Sequence, residues 1–218
     1  MGKQIFWEET PETPPSFSVI LYGGNPQRWT AFDQGVRQAC NDVGYAKPMI
    51  YVPEKKADYE GQMYLIEREI ANGAQGVIVA CENSEQLQPY LEKIMNKTAV
   101  VPVLNGVSGL PCIQPNYEAL GREVGQGIVA QEGEKVLVIE NYMDRDSVKQ
   151  MFTALMATLN QRGIDTATHS LTGKEGMETS ALVSLLEKNT CDVLVVLDNE
   201  TMEAALVAKE SIPRDIKL

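Results

Sequence analysis

Residues 17–44 read Phe17-Ser-Val-Ile-Leu-Tyr22, Gly23-Gly-Asn-Pro-Gln-Arg-Trp29, Thr30-Ala-Phe-Asp-Gln-Gly-Val-Arg-Gln-Ala-Cys-Asn-Asp-Val43 and Gly44. The short apolar run predicts a strand and the glycine pair a turn. Trp29, Phe32, Val36, Cys40 and Val43 recur at three- and four-residue spacing, which puts one apolar stripe on a helix over about 27–43, ended by Gly44. Strand, turn and helix together set Asn25 and Trp29 at the carboxyl end of a strand. In open α/β sheets ligands bind at that end.

The unit recurs along the chain. Further strands are predicted at residues 48–52, 75–80, 100–104, 135–140, 164–171 and 192–197, with another short apolar run near Cys112-Ile113. Between them lie helix patterns marked by Met63, Ile66 and Ile70; by Leu87, Leu91 and Ile94 behind an N-cap at Ser84; and by Leu120, Val124 and Ile128 behind Asn116. Met151, Leu155 and Leu159 mark another, Leu182, Leu185 and Leu186 the next, and residues 201–210 the last. Residues 75–80 are apolar on both faces, as a central parallel strand requires. Such alternation specifies an α/β fold of parallel sheets flanked by helices. About eight strands fit one sheet or two lobes, and periodicity alone leaves both open. The polar stretch 105–110, with Gly106 and Gly109, is where the chain would cross between lobes.

Composition narrows the function. With 30 acidic against 19 basic residues the 218-residue chain carries a net charge of -11, which repels nucleic acid and anionic membrane. No apolar run approaches the roughly 20 residues of a membrane span. The cysteines at 40, 81, 112 and 191 form no C-x-x-C pair and have no histidine at ligand spacing. Cys81, Cys112 and Cys191 sit in or beside apolar strand-like runs, where a thiol is a small buried hydrophobe. Residues 1–16, acidic and proline-rich, read as an extended tether ahead of the folded part.

Enzymatic signatures are missing. There is no G-x-S-x-G elbow and no H-E-x-x-H helix, and the single histidine, His169, lies in a strand-like run. Gly173-Lys174 lacks the glycine that a P-loop requires. Gly121, Gly125 and Gly127 fall inside a helix pattern, where small residues permit close packing. Glu82 and Glu140, both at strand ends, are candidates for an acid and base facing a cleft; the alternative is that they are solvated or touch a ligand. No metal or cofactor is expected.

Asn25-Pro26, Trp29, Gly35, Ala39 and Gly44-Tyr45, taken with the alternation, resemble the opening of the type I periplasmic sugar-binding proteins, which share their fold with the effector domains of LacI-type repressors. Gln62 and Ile66, Gly73 to Val79, Asn83-Ser84, Val101-Pro-Val103, Asn116 with Gly121, Lys135-Val136, and Asp192 to Asn199-Glu200 with Met202 continue the pattern in family order. The resemblance implies two Rossmann-like lobes, 17–107 and 108–218, closing on a small ligand. Asn25 is similar to the family's first-loop hydrogen-bonder, with a turn residue or N-cap as the alternative. Trp29 is similar to its stacking aromatic, with the buried stripe of the first helix as the alternative. Asn199 is similar to the polar contact of the second lobe, with a helix cap as the alternative. Glu82, Asn105 and Tyr142, at the other strand ends, complete the candidate ligand set together with Arg145.

Two departures stand out. The Asp-Arg pair that the family's sugar binders carry after the fourth strand is replaced by Leu104-Asn-Gly-Val-Ser108, and the arginine expected before Phe152 is replaced by Val148. Arg145 could substitute from the loop; the alternative is a solvated charge between Asp144 and Asp146. In the family a phrase like residues 212–218 leads into further strands, so the resemblance also implies a C-terminally incomplete fold. The expected function is capture of a sugar or sugar-like solute by an extracytoplasmic protein serving a transporter or a membrane sensor. The alternatives are the effector-binding core of a LacI-type regulator, which is cytoplasmic, and a small-molecule enzyme on a Rossmann-like fold.

Overall fold

The computed structural model describes residues 15–24, 26–171, 173–174 and 176–218. Four parallel strands, β1 (Phe17–Ile20), β2 (Met49–Tyr51), β3 (Gly76–Val79) and β4 (Ala99–Pro102), form a first sheet in the order β2-β1-β3-β4. Three more, β5 (Lys135–Glu140), β6 (Asp165–Ser170) and β7 (Val193–Val195), form a second parallel sheet in the order β6-β5-β7. The run at Cys112-Ile113 contributes only a single bridge, Val103 to Ile113. Pro111 and Pro115 flank it, and a proline has no N–H to give a ladder.

Each helix follows from a local signal. A 3-10 turn, Pro26–Trp29, leads into α1 (Thr30–Val43), and Gly44 ends α1 at φ 73°, a left-handed conformation that glycine adopts without steric cost. Helix α2 is Tyr59–Ala71, and α3 (Ser84–Ile94) is capped by Asn83, whose side chain accepts from the Gln86 N–H, so the expected cap at Ser84 is displaced by one residue. Asn caps as well as Ser, and here it comes first along the chain. Asn116 caps α4 (Tyr117–Ala130) as expected, and α5 (Asp146–Gln161), α6 (Glu178–Lys188) and α7 (Asn199–Glu210) complete the set. Among the described residues no helix is long and apolar enough to cross a membrane.

Strand alternation decides which side chains meet which helix. On one face of the first sheet Ile20, Val77 and Val79 pack with Ile66 of α2 and Leu87 and Leu91 of α3. On the other, Val19 and Leu21 pack with Trp29, Phe32 and Val36. The second sheet divides likewise. Leu137, Ile139 and Leu194 face Leu182, Leu186 and Ala205, while Val136, Val138 and Val195 face Ile128, Leu155 and Leu159. Each fully buried leucine contributes about 2 kcal/mol by its removal from water. Helices α4 and α5 touch closely: a Cβ on Gly121 would fall 2.2 Å from the Met151 carbonyl oxygen and one on Gly125 2.8 Å from Thr158 Cβ. Gly127, the third glycine of that run, faces open space.

Cys40, Cys81 and Cys191 are buried free thiols, and Cys112, expected to be buried with them, is partly exposed. Ser16, the last residue of the expected tether, is held at the sheet: its hydroxyl donates to the Gly73 carbonyl (3.0 Å) and its N–H to Gln75 Oε1 (3.2 Å). The rest of that expectation, residues 1–14, lies outside the described residues. The chain passes between the sheets over residues 103–116.

Candidate functional site

All strands in a parallel sheet end on the same side, so the loops that follow them gather there. Gln62 of α2 fixes the first set. Its Nε2 donates to the carbonyls of Leu21 (3.0 Å) and Ala80 (2.8 Å), and its Oε1 accepts from the Glu82 N–H (2.8 Å). The ends of β1 and β3 are thereby tied by one fully buried amide, which carries Tyr22 and Glu82 into place. Asn105, also fully buried, donates to the Cys81 carbonyl (2.6 Å) and accepts from the N–H of Ser147 (3.2 Å), so it joins the first sheet to the start of α5. In the second set, Asn141 donates to Thr201 Oγ1 (2.8 Å), locking the end of β5 to α7.

A charged cluster lies between the two sets. Arg145, 1% exposed, directs Nε (3.0 Å) and Nη2 (2.8 Å) to Oε1 of Glu82, while Nη1 reaches Glu200 Oε2 at 3.4 Å. Arg28 pairs with the other oxygen of Glu200 and donates to the Tyr22 hydroxyl (2.8 Å). Both guanidiniums lie over aromatic rings: Arg28 over Tyr22 and Trp29 at 4.6 and 5.0 Å, Arg145 over Tyr22 and Tyr142 at 4.3 and 4.0 Å. Such contacts suit guanidinium, which is planar and weakly hydrated.

The two carboxylates are pushed apart. Burial holds Glu82 above its ordinary range against the pull of Arg145. Burial acts on Glu200 in the same sense, but Arg145 and Arg28 together hold it below. Burial also raises the phenols of Tyr22 and Tyr142 and the carboxyl of Asp198. Tyr142 sits at φ 52° and Leu104, beside Asn105, at φ 65°. For side chains with a Cβ this backbone costs on the order of 1–3 kcal/mol each; Ala57 and Glu132, away from the cluster, adopt it too.

A polar cavity of about 320 Å³ opens beside the cluster, lined by Gln27, Arg28, Asn199, Glu200, Met202 and Glu203. Among the described residues, Glu82 Oε2, Ser84 Oγ, Tyr142 Oη and Asp198 Oδ2 are buried polar atoms with no hydrogen-bond partner, as are Glu178 Oε1 of α6 and Arg214 Nε, which lie outside the cluster's ion pairs. No three His, Cys, Asp or Glu side chains among the described residues come together as metal ligands.

Residues 17–216 match the family model of the periplasmic binding protein domain. The chain belongs to that family. Its members are binding proteins. No curated protein matches this one by sequence. Among solved structures, this periplasmic binding protein domain is similar to the periplasmic component of an ABC-type sugar transport system from Hahella chejuensis, with a TM-score of 0.82 and 18% identity over 90% of this chain and 75% of that one. It is similar to a sugar transporter from Clostridium phytofermentans, with a TM-score of 0.80 and 17% identity over 91% and 76%. A third similar structure is the Caulobacter myo-inositol binding protein bound to myo-inositol, with a TM-score of 0.75 and 19% identity over 93% and 72%. At these identities the likeness establishes the fold.

Of the residues singled out from sequence, Glu82, Asn105, Tyr142 and Arg145 gather at the strand ends of this periplasmic binding protein domain, all buried. The reading of Arg145 as a solvated charge is corrected, because it is buried and its partners come from the loop after β3 and from α7, not from its neighbours Asp144 and Asp146. Asn199 is exposed on the cavity wall, and the cap of α7 is Asp198, whose side chain accepts from the Thr201 N–H. Trp29 is 6% exposed, stands edge-on to Tyr22 and donates its indole N–H to the Tyr22 carbonyl (3.2 Å). It is packed with the core beneath the cluster, with Arg28 over its face. Asn25 lies outside the described residues. Glu140, half-buried at the end of β5, has no part in the cluster. Sequence reasoning passed over Tyr22, Arg28 and Asp198 and gave no role to Gln62 or Glu200. The latter two stand in the family pattern, and their position there was the available signal.

Proposed function

We propose that this chain is an extracytoplasmic solute-binding protein that captures a small, neutral, hydroxyl-rich molecule, a sugar or sugar-like polyol, between two lobes, 17–107 and 108–218. The observation that carries this reading is the set of buried polar atoms without partners, contributed by loops of both sheets around one cluster. A buried polar atom left unpaired costs free energy, and a bound hydrogen-bonding solute removes that cost. Glu82 Oε2 and Asp198 Oδ2 accept hydrogen bonds when ionised, so the complementary solute donates them, as hydroxyls do. Arg28 and Arg145 are already engaged by Glu200 and Glu82, so neither guanidinium calls for an anionic solute.

Neighbours of the same fold support the class: one is a myo-inositol binding protein bound to myo-inositol, another a solute-binding protein with bound D-allose, and a third the fructose-binding periplasmic domain of a hybrid two-component system. These neighbours span transport and sensing, which supports an ABC transporter or a sensor protein as the membrane partner. Closure on the solute follows if both lobes share its hydrogen bonds, since the closed state then gains only when it is present. No nucleic acid is bound by this acidic chain.

A thermal-shift screen with myo-inositol, D-allose, D-ribose, D-fructose and a set of nucleosides tests the reading. A solute held only by the folded state at 100 times its Kd adds about 2.7 kcal/mol of stability, a rise of several degrees. If none of these moves the melting temperature at millimolar concentration, the sugar-like class is wrong.

A further inference from the structure

The guanidinium of Arg145 is sandwiched between two rings that belong to different sheets. Tyr22 follows β1 and lies 4.3 Å away; Tyr142 follows β5 and lies 4.0 Å away. Carboxylates close the rim of the sandwich, Glu82 from the end of β3 and Glu200 from α7. A flat polar group stacked on aromatic faces and hydrogen-bonded at its edge is how a cleft holds a small polar solute. Here the group is part of the chain. We propose that Arg145 is an internal occupant of the solute position, which competes with the solute for the space between Tyr22 and Tyr142 and ties the two sheets together while it does so. The proposal rests on the solute-binding reading above.

Three features fit a displaceable occupant better than a permanent strut. Its fit is incomplete: two donors crowd onto Glu82 Oε1 while Oε2 stays unpartnered, the bond to Glu200 is long at 3.4 Å, and the Tyr142 hydroxyl is unpaired. Its energetics allow exchange for a solute whose hydroxyls donate to both Glu82 and Glu200, because a buried ion pair gains little beyond its own desolvation, whereas leaving those carboxylates unpaired would be costly. The bonds around Asp144 and Lys149 are ones that water replaces readily, while the buried Asn105–Ser147 bond and the Arg28–Glu200 pair are further ties between the two sets of loops. Asn83 donates to Asp144 Oδ2 at 3.3 Å, the Ser84 N–H to the Asp144 carbonyl at 3.4 Å, and Lys149 pairs with Glu85 at 3.0 Å, with both of the latter side chains exposed.

An arginine that grips the solute and one that competes with it make opposite predictions. The experiment uses the full chain, Arg145→Ala, and the double variant Glu82→Gln/Arg145→Ala, which leaves no unpaired charge at the Glu82 position if the single variant folds poorly. Circular dichroism establishes that each is folded. Calorimetric titration with myo-inositol, D-allose, D-ribose and D-fructose should show affinity rising on the order of tenfold in the variants, as removal of a competitor raises the binding-competent fraction. Small-angle scattering without added sugar should show a larger radius of gyration in the variants than in the parent. Weaker binding by the variants overturns the proposal in favour of a gripping arginine, and an unchanged radius overturns the tie between the sheets. If none of the sugars binds any of the proteins while the radius grows, the sugar reading fails and the tie stands.

Discussion

The first sheet has a cluster of carboxylate, arginine and tyrosine at each of its ends, and the two behave differently. At the amino end, Glu69 accepts from the Ser18 hydroxyl at 2.9 Å and pairs with Arg68 at 3.1 Å, and Arg68 lies 4.5 Å from the ring centroid of Tyr51. All four residues belong to β1, β2 and α2, and none of their side-chain atoms is among the buried atoms without a partner. At the carboxyl end, Glu82, Arg145, Glu200 and Tyr142 come from both sheets, are buried deeper, and leave polar atoms unpaired. The same residue types thus complete a fold at one end and leave work undone at the other. What separates a candidate site from structural polarity is the unfinished hydrogen bonding, more than the presence of charge.

Mutations can break this comparison. Arg145→Ala should destabilise the protein by about 3–5 kcal/mol in chemical denaturation, because it strands a buried carboxylate. Arg68→Ala, at a side chain 36% exposed and screened by water, should leave the melting temperature nearly unchanged. If the two variants lose similar stability, the distinction drawn between the ends is false. Ser18→Ala should cost about 1–2 kcal/mol, since it removes the buried hydroxyl donor to Glu69, whereas Tyr142→Phe, which removes a hydroxyl with no partner, should stay within about 0.5 kcal/mol of the parent.

Smaller in size, but opposite in sign, are the effects of acid. Burial works to raise Glu69, yet hydrogen bonds from Ser18, Tyr51 and Arg68 hold it below the ordinary 4.5. Its stabilisation is present above that value and lost as pH falls through the lowered one. Glu82 is held above 4.5 by burial, so its folded form keeps a proton that the unfolded chain releases, and stability declines as pH rises from 4.5 toward the raised value. Denaturant melts across the acid range should therefore show Glu69→Gln flattening the loss below pH 4.5 and Glu82→Gln removing a decline just above it. Parallel profiles for the two variants would mean that the carboxylates share one environment.

Much of the architecture was legible because its signals are local. The run of β3 is apolar on both faces, and Gly44 and Asn116 mark their helix ends within a few residues of where they act. The gathering of Glu82, Asn105, Tyr142 and Arg145 was legible in position, since each follows a strand and strand ends in a parallel sheet converge. Their pairings were not. Arg145 meets a partner 63 residues away and Arg28 one 172 residues away, while the aspartates beside Arg145 in the chain suggested water. The same limit applies to Trp29, whose helical stripe and possible site role looked alike until its neighbours in the core were known.

Asn105 gives the molecule a way of recording its own motion. It is followed by Gly106, and an asparagine before glycine loses its amide nitrogen more readily than most, because the next backbone nitrogen can attack the side-chain carbonyl once the chain bends freely. Here both ends of that side chain are engaged, one with Cys81 and the other with Ser147. Asn72-Gly73, the other such pair, is exposed on the surface. The Gly73 N–H is held by the Ile70 carbonyl (3.0 Å), but the Asn72 side chain is free to move in water. The Asn105 amide must instead release both of its partners before it can be attacked. Peptide mass analysis of an aged sample should therefore find conversion at residue 105 slower than at residue 72 for as long as the bonds to Cys81 and Ser147 hold.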